Sequence, residues 1–150
     1  MLQTGDLAPD FTMDSDKDDS VSLQDLRGNT VVLYFYPKDD TPGCTKESCD
    51  FRDHYATFKK REARVYGVSC DDILSHEKFS AKFDLPFPLL SDPDASVCTA
   101  YGVYKEKSMY GKKYMGIERT TFIIDDEGRI TKIYPKVDVE GHVEEILGEI

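Results

Sequence analysis

The sequence predicts an α/β domain, residues 1–150, in which helices flank a central mixed β-sheet and an N-terminal β-hairpin precedes it. Three features carry that reading. Continuously apolar, β-branched segments alternate with segments of helical periodicity, the order of parallel strands joined by crossover helices. Alternating strand patterns stand before and after that run and add antiparallel strands to the sheet. The 150 residues suit one hydrophobic core, and no internal repeat, low-complexity segment or linker divides them.

In chain order, "FTMDSDKDDSVSL" (11–23) reads as two short strands around a polar tip, with Asp14–Asp19 a solvated turn. "TVVLYFYP" (30–37) is continuously apolar and predicts a central strand buried on both faces. From Cys44 to about Arg61 the pattern turns helical, with Phe51, Tyr55 and Phe58 at i, i+4 and i+7 on one face. "ARVYGVS" (63–69) is a second buried strand. "DDILSHEKFSAKFDL" (71–85) is a helix capped by Asp71 or Asp72, turning Ile73, Phe79 and Phe83 to the core. "FPLLSD" (87–92) is a short strand, and "DASVCTAYGV" (94–103) a short helix closed by Gly102. "RTTFIIDDEGRITKIY" (119–134) is a hairpin turning at Asp126-Glu127-Gly128, and "VEGHVEEILGEI" (139–150) an amphipathic helix.

A formal net charge of −10 argues against nucleic acid as a partner, since phosphate backbones are repelled. No apolar run approaches the ~18 residues of a membrane span. The start, "MLQTGDLAPDF", lacks the basic residues and apolar stretch of a secretory signal. The expectation is a cytoplasmic protein without membrane association, whose four cysteines are reduced at rest. A chain of this length builds a core without disulfide staples, so paired thiols point to catalysis or metal.

"FYPKDDTPGCTKESCD" (35–50) is where a strand gives way to a helix. Thr41 suits the N-cap and Pro42 the first helical position, which puts Cys44 in the first turn. Free backbone N–H groups and the helix dipole favour a thiolate there, so Cys44 reads as a nucleophile. A metal site needs about four ligands. Cys44 and Cys49 supply two, and Cys70, Cys98, His54, His76 and His142 show no second paired spacing. Arg52 stands where an iron–sulfur C-x4-C-x2-C run requires cysteine. The C-x4-C spacing also departs from the C-x-x-C of thioredoxin-type oxidoreductases. A buried, inert pair of thiols remains open on these residues alone.

Pro37, Thr41 and Cys44 fit P-x-x-x-T-x-x-C, and through them the chain resembles the peroxiredoxins. "YFYPKDDTPGCTKESCDFRD" is similar to the subgroup called Q-type, or bacterioferritin comigratory protein. "GDLAPDFTM", "GVSCDD", "FPLLSD", "YGVY" and "ERTTFIID" follow in that family's order, so the likeness covers nearly the whole chain.

The resemblance implies a thioredoxin-like fold and a thiol-dependent peroxidase acting on hydrogen peroxide and alkyl hydroperoxides without metal or organic cofactor. Cys44 would be the peroxidatic cysteine, passing through a sulfenic acid. Thr41 would hydrogen-bond the peroxide, Pro37 would shield the pocket, and Arg119 would stabilise thiolate and leaving oxygen. Attack on an O–O bond builds negative charge on the departing oxygen, which a fixed guanidinium favours. Cys49 would resolve the sulfenate to an intramolecular disulfide, reduced again by thioredoxin or a similar dithiol. Glu47 is expected to support the site by pairing with an arginine, and the protein to be a monomer. Two alternatives stand beside this: a thiol–disulfide oxidoreductase without peroxide specificity, and a redox-switched binding or chaperone-like protein.

Cys70 and Cys98 are expected to be small buried hydrophobes, Cys98 also being a candidate second resolver. The histidines are expected at the surface. Gly43 and the polar run Thr45-Lys46-Glu47-Ser48 are expected to make the first helical turn easy to open, as a Cys44–Cys49 disulfide requires.

Overall fold

The computed structural model describes residues 1–150. The chain runs β1 (Thr12–Ser15), β2 (Ser20–Ser22), a 3-10 turn (Leu23–Leu26), β3 (Thr30–Phe35), α1 (Pro42–Asp53), α2 (Tyr55–Lys60), β4 (Ala63–Ser69), α3 (Ile73–Phe83) and β5 (Leu89–Ser91). It continues through α4 (Ser96–Ala100), β6 (Tyr104–Met109), β7 (Lys112–Ile117), β8 (Thr120–Ile124), β9 (Ile130–Tyr134) and α5 (His142–Leu147). Seven strands form one sheet in the order β2-β1-β5-β4-β3-β8-β9. Strands β3, β4 and β5 are parallel, whereas β1, β2, β8 and β9 pair antiparallel. The mixed sheet expected from the sequence is the sheet observed.

β3 shows why its sequence is apolar without interruption. Val31, Leu33 and Phe35 enter the core on one face, with Phe11, Tyr101 and Phe122. Val32, Tyr34 and Tyr36 enter the core on the other, with Phe51, Phe58 and Phe87. A strand covered on both faces has no polar phase to show. Tyr34 stacks on Phe51 with ring centroids 4.5 Å apart, and its hydroxyl is hydrogen-bonded to Ser48 Oγ at 2.8 Å. That ring passes over β4 where Gly67 stands. A Cβ at Gly67 would lie 2.8 Å from the Tyr34 ring, so any side chain there would displace it.

Several expectations are corrected. The helix predicted from Cys44 to Arg61 breaks at His54, leaving α1 and α2. The two-stranded ribbon β6–β7 was not predicted. It turns through Tyr110 and Gly111, both at positive φ, and exposes most of its length. Asp16, placed in the solvated turn, instead buries its carboxylate and accepts the Leu89 N–H at 2.8 Å, tying the hairpin to β5. His76 and His142 are buried rather than at the surface. Each shares its helix's apolar stripe: His76 with Phe79 on α3, and His142 with Val143 and Ile146 on α5. Asp72 caps α3 as expected, accepting the Ser75 N–H.

Candidate active site

β3 ends at Phe35, and the chain passes through Pro37–Thr41 into α1. Phe35 pairs with Thr120 across the antiparallel β3–β8 ladder. Arg119, one residue before Thr120, therefore arrives at the same sheet end as the first turn of α1. There Arg119 Nη2 donates to Cys44 Sγ at 3.3 Å and Nη1 donates to Glu47 Oε1 at 2.8 Å. Cys44 is 1% exposed and Glu47 0%. Gly43 leaves the room for this, since a Cβ there would stand 3.0 Å from Arg119 Nη2.

Burial pushes the Glu47 carboxyl up to about 7, against the opposing pull of Arg119. Its second oxygen, Oε2, is buried without a partner. Burial works against the Arg119 charge in turn, and Glu47 and Cys44 more than restore it. The pairing expected of Glu47 is thus with Arg119, and one guanidinium joins the acid to the thiol.

Thr41 holds the N-cap position of α1 with Pro42 behind it, as expected, but its side chain makes no capping bond. Its hydroxyl donates to Lys38 O at 2.8 Å, closing the loop on itself and leaving the Oγ1 lone pairs free. Pro37 is exposed, on the loop between β3 and α1. Cys49 lies on α1 with Cys44, half-buried, and burial raises its thiol. Both thiols are free. With residues 44–49 helical, their Cα atoms stand about 8–9 Å apart, beyond the ~7 Å reach of a disulfide. The structure therefore brings Cys44, Glu47 and Arg119 into contact, sets Thr41 and Pro37 on the adjoining loop, and holds Cys49 apart. Nor is the run Thr45–Ser48 loosely held, as its polarity suggested: Glu47 and Ser48 are fully buried and bonded to Arg119 and Tyr34.

A network behind the loop was missed by sequence reasoning. Asp39 Oδ1 accepts from the Tyr36 hydroxyl at 2.6 Å, and Oδ2 from Ser75 Oγ at 2.8 Å and His76 Nδ1 at 2.7 Å. His76 Nε2 donates to Leu90 O at 2.9 Å. An acceptor at each ring nitrogen favours the doubly protonated form of His76. Burial alone would lower it, but Asp39 and the Leu90 carbonyl raise it overall. Asp71 Oδ2 accepts the Asp39 N–H at 2.8 Å. The loop carrying Pro37 and Thr41 is anchored to α3 and β5 from beneath. The available signal was the spacing of His76 to Phe79, i and i+3 on a helix whose buried face Phe79 marks. The ribbon adds Lys107, whose charge burial and Arg119 disfavour.

The AhpC/TSA family matches residues 4–133. Peroxiredoxin Bcp of Bacillus subtilis is 49% identical over 146 residues, 97% of this chain and 93% of that one. Among solved structures, a cysteine-to-serine mutant of Xylella fastidiosa PrxQ superposes with a TM-score of 0.93 at 40% identity, covering 99% of this chain and 95% of the other. The Xanthomonas campestris bacterioferritin comigratory protein, solved as trapped intermediate and ligand complexes that address its alkyl peroxide reduction activity, gives 0.90 at 41%, covering 99% and 94%. The sheet and its flanking helices are those of a thioredoxin-like peroxiredoxin. By these matches along nearly its whole length, the chain belongs to the AhpC/TSA family and, within it, to the thiol-dependent peroxidases of the Bcp/PrxQ peroxiredoxin group.

Proposed function

We propose that the chain reduces hydrogen peroxide and alkyl hydroperoxides at Cys44, with Cys49 as the resolving thiol and thioredoxin or a similar dithiol as the reductant. The observation that carries this reading is the Arg119 guanidinium, hydrogen-bonded at once to Cys44 Sγ and to buried Glu47. The Cys44 sulfur attacks one peroxide oxygen and the O–O bond breaks. The departing oxygen leaves as water or an alcohol, its developing charge facing Arg119. Thr41, whose hydroxyl proton is already donated to Lys38 O, offers lone pairs to the peroxide O–H. Pro37 screens the site from bulk water. The first half of α1 then opens, the Cys49 thiol attacks the sulfur of the Cys44 sulfenic acid, the S–O bond breaks, water leaves with the Cys49 proton, and a disulfide joins the two. The dithiol reductant returns both to thiols.

The chain is read as a cytoplasmic monomer without a nucleic-acid partner. Its net charge of −10 supports the last point, and no helix is long and apolar enough to cross a membrane.

Stopped-flow peroxide consumption with a thioredoxin-recycling assay tests the proposal. Cys44→Ser abolishes turnover, and Cys49→Ser reacts once without recycling. Full turnover by Cys44→Ser overturns the assignment, and normal recycling by Cys49→Ser removes Cys49 from it. Reduction of insulin disulfides faster than of peroxide would favour the disulfide-exchange alternative.

A further inference from the structure

Two thiols outside the site are brought together by a clamp at the exit of β4. Cys70 follows Ser69, the last residue of β4, whose carbonyl accepts the Asp92 N–H at 2.9 Å. The Asp92 carboxylate then holds the start of α4. Oδ1 accepts from the Val97 N–H at 3.2 Å and the Ser96 hydroxyl at 3.4 Å, and Oδ2 from the Cys98 N–H at 2.8 Å. The result is that the Cys70 and Cys98 sulfurs and an Asp92 carboxylate oxygen all lie within 4.8 Å of one another. Cys98 is fully buried. Cys70 is half-buried and lines a cleft of about 210 Å³ with Pro37, Ala95, Tyr104 and Ile117. The expectation of two inert buried thiols holds for the burial of Cys98 and fails for Cys70.

A metal is a poor fit here. The Asp92 carboxylate already accepts three hydrogen bonds as a helix cap, which leaves two thiols where zinc takes about four ligands. The thiols are instead unequal in the way a reactive pair is. The hydrogen bond shared with Cys98 lowers the Cys70 thiol, against burial. Cys70, burial and the Asp92 carboxylate push the Cys98 thiol far up. Cys70 lines the cleft and is the sulfur a peroxide reaches first, while Cys98 stands behind it, fully buried.

We propose that Cys70 and Cys98 form a second redox-active dithiol, which hydroperoxide oxidises to an intramolecular disulfide beside the cleft that Pro37 lines. The Cys70 thiolate attacks one peroxide oxygen and the O–O bond breaks. The other oxygen leaves as water or an alcohol after taking a proton from solvent, and Cys70 becomes a sulfenic acid. The Cys98 sulfur attacks the Cys70 sulfur, the S–O bond breaks, and hydroxide leaves as water with the Cys98 proton. The dithiol gives up two electrons, one hydroperoxide takes them, and the S–S bond closes to about 2.05 Å. Cys70, not fixed in a helix, is the side chain that moves. Arg119 is engaged by Cys44 and Glu47, so Cys70 attacks without a guanidinium's help. This couple is therefore slower than Cys44 and loads when peroxide is in excess. It takes its oxidant from the chain's peroxidase chemistry and does not depend on the pairing of Cys44 with Cys49.

Peptide mapping decides it. Trypsin places the four cysteines in four separate peptides, 39–46, 47–52, 65–78 and 83–105. Full-length wild type and the double variant Cys44→Ser/Cys49→Ser are treated with excess hydrogen peroxide, alkylated and mapped. The expected result in both is peptide 65–78 joined to 83–105 within one chain, with the mass of two hydrogens lost and both thiols restored by dithiothreitol. Adding Cys98→Ser to the double variant should convert this loss into oxygen added at Cys70. Two alkylated thiols after peroxide, oxygen on Cys70 with Cys98 still free, or a link between two chains would each overturn the proposal. Joining of 39–46 to 47–52 is scored separately in the wild type, so failure of one pairing is not mistaken for failure of the other.

Discussion

At the scale of single residues the site depends on one side chain held from two sides. Arg119→Met keeps the length of the side chain but removes the charge and both hydrogen bonds. By analogy with loss of one oxyanion donor, the second-order rate with hydrogen peroxide should fall about 10²-fold, read by stopped flow. An unchanged rate would place Arg119 outside the reaction. Gly43→Ala tests the same contact from the other side. The new methyl meets Nη2 at 3.0 Å and shifts the guanidinium against its bonds to Cys44 and Glu47. A loss of about 1.4 kcal/mol in the transition state, about tenfold in rate, is expected with little change in melting temperature. Cys44 was legible because a helix-start cysteine is a local pattern. Arg119 was legible only through its family motif, since no local rule joins residues brought together by strand pairing. The burial of Glu47 and Ser48 was not legible, because their partners, Arg119 and Tyr34, come from β8's entry and β3.

At the scale of elements, α1 is both the scaffold of the thiols and the obstacle to joining them. Opening residues 42–50 breaks Tyr34–Ser48 and Arg119–Glu47, while Phe51 stays stacked on Tyr34 and the break at His54 stops the change from reaching α2. Oxidation should therefore raise amide exchange over 42–50 and leave 55–61 protected; equal protection in both redox forms would refute this. Tyr34→Phe sharpens the test. It leaves the Ser48 hydroxyl buried without its partner in the closed helix, at a cost of about 1–3 kcal/mol that opening relieves. Disulfide formation after one equivalent of peroxide should speed up about fivefold or more, with the initial attack unchanged. The β6–β7 ribbon shows the limit of pattern reading for elements. Met109, Tyr110, Tyr114 and Met115 are exposed and lysines lie between them, so the ribbon meets the core chiefly at its Tyr104–Ile117 end and no period of two is imposed along it. β3 and β4, buried on both faces, were visible from composition alone.

For the whole molecule, the buried ionisable groups make stability depend on pH. Glu47 is raised from 4.5 to about 7, so between those values the folded chain keeps a proton that the unfolded chain has released. Stability from this group is full below about 4.5 and falls by about 3 kcal/mol as pH rises to 7. His142 is lowered by burial and acts in the opposite sense, losing stability as pH falls below 6.5. The test is therefore a difference: in urea denaturation from pH 4.5 to 7, wild type should lose stability relative to Glu47→Gln. Parallel curves would mean that Glu47 does not titrate in that window. His76 is raised above 6.5, so its contribution is complete below 6.5 and disappears as pH passes its folded value. His76→Gln should flatten the alkaline limb in the same experiment. Finally, Cys44 is 1% exposed while α1 is closed. In the proposed cycle a reducing protein reaches that sulfur only in the opened, oxidised form, and reduction withdraws it again. Spent and recharged enzyme thus present different surfaces, and the recharged form competes poorly for the reductant. Even where reduced enzyme far outnumbers oxidised, the electron donor is not tied up by the product it has just made.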